Sequence, residues 1–189
     1  DENGLIIEKL LTENGTDNTG VFFSDKIRTC LKHRMIAGQN HLLRMDIDPN
    51  LENNSFQDQI KNHLEKTIEK YDAVLVSDYG KGFLNNATLE TIATIGKQHK
   101  IPIVGDPRST KDYEIYSNFT LLKPNRKETE KAVGFELKKQ KDILKAAEIL
   151  RNKAKLEYLI ISLDKDGLLL YCSPKNYNFL DAKTQEVFD

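Results

Sequence analysis

The sequence predicts an α/β protein, a doubly wound and mostly parallel sheet carrying a small antiparallel β flap. Three observations predict it. Ala73-Val74-Leu75-Val76 is a short run with no polar residue, the pattern of a strand buried on both faces of a parallel sheet. Such runs then alternate with segments of helical spacing, which argues right-handed β-α-β crossovers. Between residues 20 and 47, two strand-like runs flank Ala37-Gly38-Gln39-Asn40, a hairpin signal.

Residues 5–14 read as a short helix ending near Gly15, with Leu5, Ile6, Leu10 and Leu11 on one side. Val21-Phe22-Phe23, then Ile27 to Ile36, then His41 to Ile47, look like strands. Lys32, Arg34, Arg44 and Asp46 interrupt the faces of the last two, so the flap should expose a polar side. Beyond Asp48-Pro49, Ser55 can cap a helix carrying Phe56, Ile60, Leu64 and Ile68 at four-residue spacing. Strand 73–76 follows, then a helix with Leu89, Ile92 and Ile95. Next come strand Ile101–Val104, strand Thr120–Leu122, a helix from Asn125 and another over roughly Lys141–Lys153. Strand 159–161 and a Gly167 turn into Leu168–Tyr171 complete the order.

Composition narrows the function. Hydrophobic residues make up 39% and charged residues 30%, an ordinary balance for a globular domain. The net charge of −1 argues against a general nucleic-acid or membrane surface, while leaving room for local phosphate sites. No apolar run approaches the roughly 18 residues of a membrane span. Cys30 and Cys172 stand alone, so two reduced thiols in a cytoplasmic protein are expected, without zinc or disulfide. His33, His41, His63 and His99 form no constellation.

Ligands of open α/β sheets collect beyond the carboxyl ends of the strands. Those ends read Ser77-Asp78-Tyr79-Gly80-Lys81-Gly82, Asp106-Pro107-Arg108, Lys123-Pro124-Asn125-Arg126-Lys127-Glu128 and Ser162-Leu163-Asp164-Lys165-Asp166-Gly167. Four consecutive ends rich in charge and glycine favour a phosphate-handling cleft. Each part also has a plainer reading. Gly80 and Gly82 either bring backbone N–H groups to an anion or only shape a tight loop. Asn125 and Glu128 either form a helix capping box or order the water shell of a Mg²⁺ ion on nucleotide phosphates. Lys32, Arg34 and Arg44 guard an exposed edge, bind an anionic substrate, or face a second subunit. A phosphoacceptor receiver domain would also place an Asp and a Lys-Pro at strand ends. No acidic pair follows an early strand, however, and the chain runs on too far.

The SDYGKG stretch of residues 77–82, the run Ile101 to Arg108 and the run Leu121 to Glu128 together resemble the PfkB, or ribokinase-like, carbohydrate kinases. Thr29-x-x-Lys32-x-Arg34 with Arg44-x-Asp46 is similar to the lid hairpin of the branch that phosphorylates a heptose 7-phosphate in ADP-heptose synthesis. Gln185 to Asp189 looks like the lead-in to the family's DxTGAGD signature. The resemblance spans essentially the whole chain.

It implies one partial kinase domain, with residues 20–47 as β lid and 53–189 as α/β core, truncated at both ends relative to the family. ATP with Mg²⁺ would phosphorylate the anomeric hydroxyl of D-glycero-β-D-manno-heptose 7-phosphate, for the lipopolysaccharide core. Asn125, Arg126, Lys127 and Glu128, with Ser162, Leu163, Asp164 and Gly167, would line the nucleotide, and Glu128 would serve the metal. Lys32, Arg34, Arg44, Lys81 and Asp106 would meet the sugar phosphate. The general base and its glycine amides would lie beyond Asp189, and the sugar-contacting glycine pair before Asp1, so the 189 residues alone are expected not to catalyse. A homodimer through the lid is implied, with Val21, Phe22, Leu42 and Met45 as its apolar surface. Arg108 stands where relatives often carry Lys. Another phosphosugar or nucleoside as substrate, or a sensor on the same fold, are the alternatives.

Overall fold

The computed structural model describes residues 1–25, 27–49 and 56–182. Ser55, the expected cap, and the run 185–189 lie outside them. In chain order the elements are helix α1 (Glu2–Glu13), strands β1 (Leu31–Ala37) and β2 (Asn40–Ile47), helix α2 (Gln57–Thr67) and strand β3 (Val74–Ser77). Helix α3 (Asn86–His99), strand β4 (Ile103–Asp106), strand β5 (Leu121–Leu122) and helices α4 (Arg126–Val133) and α5 (Gln140–Lys153) follow. Strands β6 (Tyr158–Ser162), β7 (Leu168–Ser173) and β8 (Asn176–Leu180) complete it. The described strands form a six-stranded sheet ordered β3-β4-β5-β6-β7-β8 and a separate pair β1-β2. Pairing is parallel from β3 to β6 and antiparallel to β7 and β8. The α/β class, the mostly parallel sheet and the small antiparallel sheet are as the sequence predicts.

Each parallel crossover moves one strand over in the same direction, so right-handed connections lay their helices on one face. Burial follows that rule. Val76, Ile103, Leu122, Leu159, Ile161 and Leu169 are buried in one cluster with Leu89 and Ile92 of α3 and Ile143, Ala147 and Leu150 of α5. The intervening Val104, Leu121 and Ile160 are only half-buried, and Leu75 is 73% exposed. The expectation of a 73–76 strand buried on both faces is therefore corrected. Here β3 is the edge of the sheet, and only Val76 of the strand is buried.

Three further expectations change. Val21-Phe22-Phe23 is not a strand; Phe22 instead stacks on Phe56 at 6.1 Å, and Phe56 meets Phe83 at 5.5 Å. Aromatic contact has replaced strand pairing there, pinning the segment before the hairpin to α2. Helix α1 begins at Glu2, earlier than expected, because the Asp1 carboxylate accepts from the Gly4 N–H. None of its residues is buried. Strand β8 is an addition, pairing with β7 across the turn at Pro174-Lys175. Among the described residues, no helix is long and apolar enough to cross a membrane.

One-sided burial makes a differential prediction for this chain. Leu122→Ala should cost about 2–5 kcal/mol, as for a fully buried leucine. Leu75→Ala should change stability by less than about 0.5 kcal/mol. Urea denaturation of both variants checks the pair, and equal effects would mean the sheet is covered on both sides.

Candidate active site

Parallel pairing brings the four carboxyl ends into one row. Ser77 of β3 lies in register with Asp106 of β4, and the Asp78 N–H donates to the Asp106 carbonyl at 3.0 Å. Lys123, just past β5, reaches Asp106 with a 3.2 Å ion pair. Beyond β5, Asn125 bridges to Ser162, and the Ser162 N–H donates to the Pro124 carbonyl at 3.0 Å.

Asn125 and Glu128 adopt the capping box. The Asn125 Oδ1 accepts from the Glu128 N–H at 2.9 Å, and the Glu128 Oε2 accepts from the Asn125 N–H at 2.8 Å. The plainer reading of this pair is thus present in the fold. The other Glu128 oxygen has no hydrogen bond among the described residues, and the side chain is half-buried at the sheet edge.

Arg126 is not a free cation. Its guanidinium bonds Asp166 at 2.6 Å, lies 3.6 Å from Asp164, and donates to the carbonyls of Leu137 and Leu163 at 2.7 and 3.2 Å. It therefore ties the start of α4 to the β6–β7 turn. Lys127 is exposed. In the turn, Leu163 is buried, Asp164 has a φ of 54°, and the Leu163 N–H donates to the Gly167 carbonyl at 2.8 Å. Gly167 has a backbone reason to be glycine: its φ is 89°, and a Cβ there would sit 1.9 Å from the Leu180 carbonyl oxygen.

At the β3 end, a cavity of about 320 Å³ is lined by Cys30, Lys32, Pro49, Asp78, Tyr79 and Lys81 among others. The base of the hairpin closes it. The Lys32 ammonium stands 5.2 Å over the Tyr79 ring, and Lys81 pairs with Asp48. This contact holds the Asp48 carboxyl below its usual range and the Lys81 ammonium above. Burial, then the Asp48 neighbour, pushes the Cys30 thiol up, which makes it a poor nucleophile.

The β1–β2 register sorts the flap into two faces. Lys32 opposes Asp46 and Arg34 opposes Arg44, all on one side; His33 opposes Met45 and Met35 opposes Leu43 on the other. Arg44 turns to Asp46, with Nε 2.9 Å from the carboxylate, and Arg34 is exposed. The apolar face is cleaner than the sequence reading allowed. Met35, Leu43, Met45 and Ile47 are each 44–55% exposed, whereas Val21 and Phe22 lie outside the flap.

A larger crevice of about 490 Å³ opens at the opposite edge of the sheet, lined by Lys97, Lys100 and Lys155. These lysines sit at the carboxyl ends of α3 and α5, where cations offset the helix dipole. Nothing in the chemistry above reaches that edge.

The family described as "pfkB family carbohydrate kinase" matches residues 1–189. The chain belongs to this family. The bifunctional protein HldE of a Nitratiruptor species is 34% identical over 190 aligned positions, which cover 100% of this chain and 39% of that protein. HldE of Campylobacter curvus is 33% identical, with 100% and 40% covered. The chain spans about two-fifths of the length of these relatives. Among solved structures, a point mutant of phosphofructokinase-2 from Escherichia coli superposes with a TM-score of 0.74 at 21% identity, covering 98% of this chain and 61% of the other. Ribokinase from Giardia lamblia gives 0.74 at 14%, covering 96% and 56%. These likenesses show the PfkB kinase fold.

The sequence reading missed Asp78 and Tyr116. Asp78 was read only as a strand-end carboxylate, and its hydroxyl partner lies 38 residues away with no sequence signal linking them.

Gly167→Ala should destabilise by at least about 2 kcal/mol, since left-handed strain adds to a collision with backbone. Thermal melting checks this; an unchanged midpoint would mean the β6–β7 turn can relax.

Proposed function

We propose that the whole protein is a cytoplasmic, ATP-dependent kinase acting on the anomeric hydroxyl of D-glycero-β-D-manno-heptose 7-phosphate, with residues 20–47 as its lid and 53–189 as its α/β core. One observation carries the choice of a phosphorylated sugar. Arg34 and Arg44 face each other directly across the two-stranded flap, on the face that also carries Lys32. Asp46 offsets Arg44 at 2.9 Å, yet Lys32 and Arg34 leave that exposed face net positive, and opposed like charges favour an added anion. The resemblance of that lid run to the heptose branch gives the anion its identity.

The layout suits in-line transfer, in which positioning and charge neutralisation dominate. The nucleotide would occupy the β5–β6 end of the row, against Asn125, Lys127, Glu128 and the 162–167 turn. The sugar phosphate would occupy the β3 end, under Lys32, Arg34, Arg44 and Lys81. Asp106, between the two, is held by Lys123. Arg126 would act here by fixing the turn. The residues fit a magnesium ion of the kind that keeps its own waters, since Glu128 offers one carboxylate oxygen outside the capping box. When bound with ATP, the ion would neutralise phosphate charge. We read the apolar flap face of Met35, Leu43, Met45 and Ile47 as the contact of a two-fold homodimer, because an isolated two-stranded flap is marginal in water.

Turnover of the intact protein on a panel of phosphosugars tests the substrate; a clear preference for a sugar without phosphate would overturn it. Glu128→Gln preserves a capping oxygen and removes the charge. It should lower kcat roughly 10²-fold while leaving sugar affinity nearly unchanged. A wild-type kcat across a Mg²⁺ titration would reduce the residue to a helix cap. In sedimentation, Leu43→Glu with Met45→Glu should convert a dimer to monomer, and a wild-type monomer at micromolar concentration would remove the dimer.

A further inference from the structure

Asp78 is a buried carboxylate that the proposed reaction does not use, with a side chain only 2% exposed. Its Oδ1 accepts from the Gly80 N–H at 2.8 Å, and its Oδ2 accepts from the Tyr116 hydroxyl at 2.8 Å. The same Tyr116 oxygen accepts from the Arg108 N–H at 2.9 Å. The Arg108 guanidinium returns to the loop, donating to the Leu84 carbonyl at 3.2 Å and Asn86 Oδ1 at 3.1 Å, with Nη1 3.5 Å from Asp78. Its aliphatic stem lies against Gly80, where φ is 66° and a Cβ would come within 3.3 Å. The loop from Ser77 to Leu84 is thus fastened near its start, at Gly80 and at its end to one buried cluster from β4 and the 3₁₀ turn at Glu114–Tyr116.

What the loop carries faces away from that cluster. Tyr79 is 73% exposed beneath Lys32, and Lys81 reaches Asp48 at the foot of the flap. A buried carboxylate between a hydroxyl and a guanidinium is costly to break, because each group left unpaired keeps its desolvation penalty. We propose that Asp78, Tyr116 and Arg108 are positioning residues, a latch that sets the 77–84 loop and so places Lys81 and the Tyr79 platform for the phosphorylated sugar. The inference rests on the substrate site proposed above. It assigns a role to the arginine that replaces the lysine expected at 108: a lysine has one ammonium and cannot span the Leu84 carbonyl, Asn86 and Asp78 together.

The test uses the intact protein with Tyr116→Phe and Asp78→Asn, and Tyr113→Phe as comparator. Tyr113 is an adjacent buried tyrosine, 5.9 Å ring to ring, whose hydroxyl has no hydrogen-bond partner among the described residues. Amide hydrogen exchange at Gly80 and acetylation of Lys81 report the loop without any substrate. Both should quicken roughly tenfold in the two latch variants and not in Tyr113→Phe. With ATP and heptose 7-phosphate, kcat/KM for the sugar should fall roughly 10- to 100-fold, mainly through KM, while KM for ATP stays within about twofold. Arg108→Lys should fall between. Unchanged exchange at Gly80 would overturn the latch. A loosened loop with unchanged sugar KM, or with the KM for ATP rising equally, would overturn its positioning role. Failure of the unaltered protein to phosphorylate any phosphosugar would instead strike the proposed function, and the exchange and acetylation rates would still decide whether the latch exists.

Discussion

Parallel pairing of β3 through β6 is the constraint on which the rest depends. It forces four carboxyl ends to one edge, and at that edge backbone groups run out of sheet partners. Each loop must therefore find polar partners of its own. Three solutions appear along the row. Asp78 supplies an acceptor to Gly80, Lys123 spans to Asp106, and Arg126 donates to two carbonyls and the Asp166 carboxylate, with Asp164 3.6 Å away. The charge that makes the edge look like a ligand site is thus partly consumed in holding the edge together. Residues outside these local contacts, such as Lys127 and the second oxygen of Glu128, retain the capacity to meet a ligand.

This division explains what was legible in the sequence. Strand ends are marked by where apolar runs stop, so the four candidate loops were located correctly from residues alone. The hairpin turn was equally plain, because Gly38 at a φ of 62° leaves few alternatives. The opposed Arg34 and Arg44 were not legible, since a register must be known before two strands can be seen to face each other. Val21-Phe22-Phe23 misled for a related reason. Three apolar residues satisfy a strand as well as a loop that packs rings, and only Phe56 and His63, brought near by folding, decide between them.

The bonds that arginine makes were harder to foresee. In a sequence, Arg126 beside Asn125 and Glu128 looks like one of three ligand contacts on a helix start. In the fold its Nη1 and Nη2 donate back across the turn to Leu137, Leu163 and Asp166, and Asp164 lies 3.6 Å from its Nε. A guanidinium suits that task because its planar fork holds several acceptors at fixed angles. Arg108 shows the same geometry at the other end of the row.

The two arginines set different limits on motion. Arg126 joins α4 to the β6–β7 turn, two parts of the sheet's own framework, and so braces the β5–β6 end of the row. At the β3 end the fastening stops at the loop. Among the described residues, two polar contacts join the flap and its foot to that loop, the Lys32 ammonium over Tyr79 and the ion pair between Lys81 and Asp48, both at the surface. Exposed contacts of this kind are individually weak and screened by salt. The flap is therefore held to the loop less firmly than the loop is held to the buried Asp78 cluster. A phosphorylated sugar entering between them would meet lysines on both sides, competing with Asp48 for Lys81 and filling the gap between Arg34 and Arg44. Under the proposed function, that anion would take the place of Asp48 on Lys81 and add to Asp46 in offsetting the charge of Arg34 and Arg44.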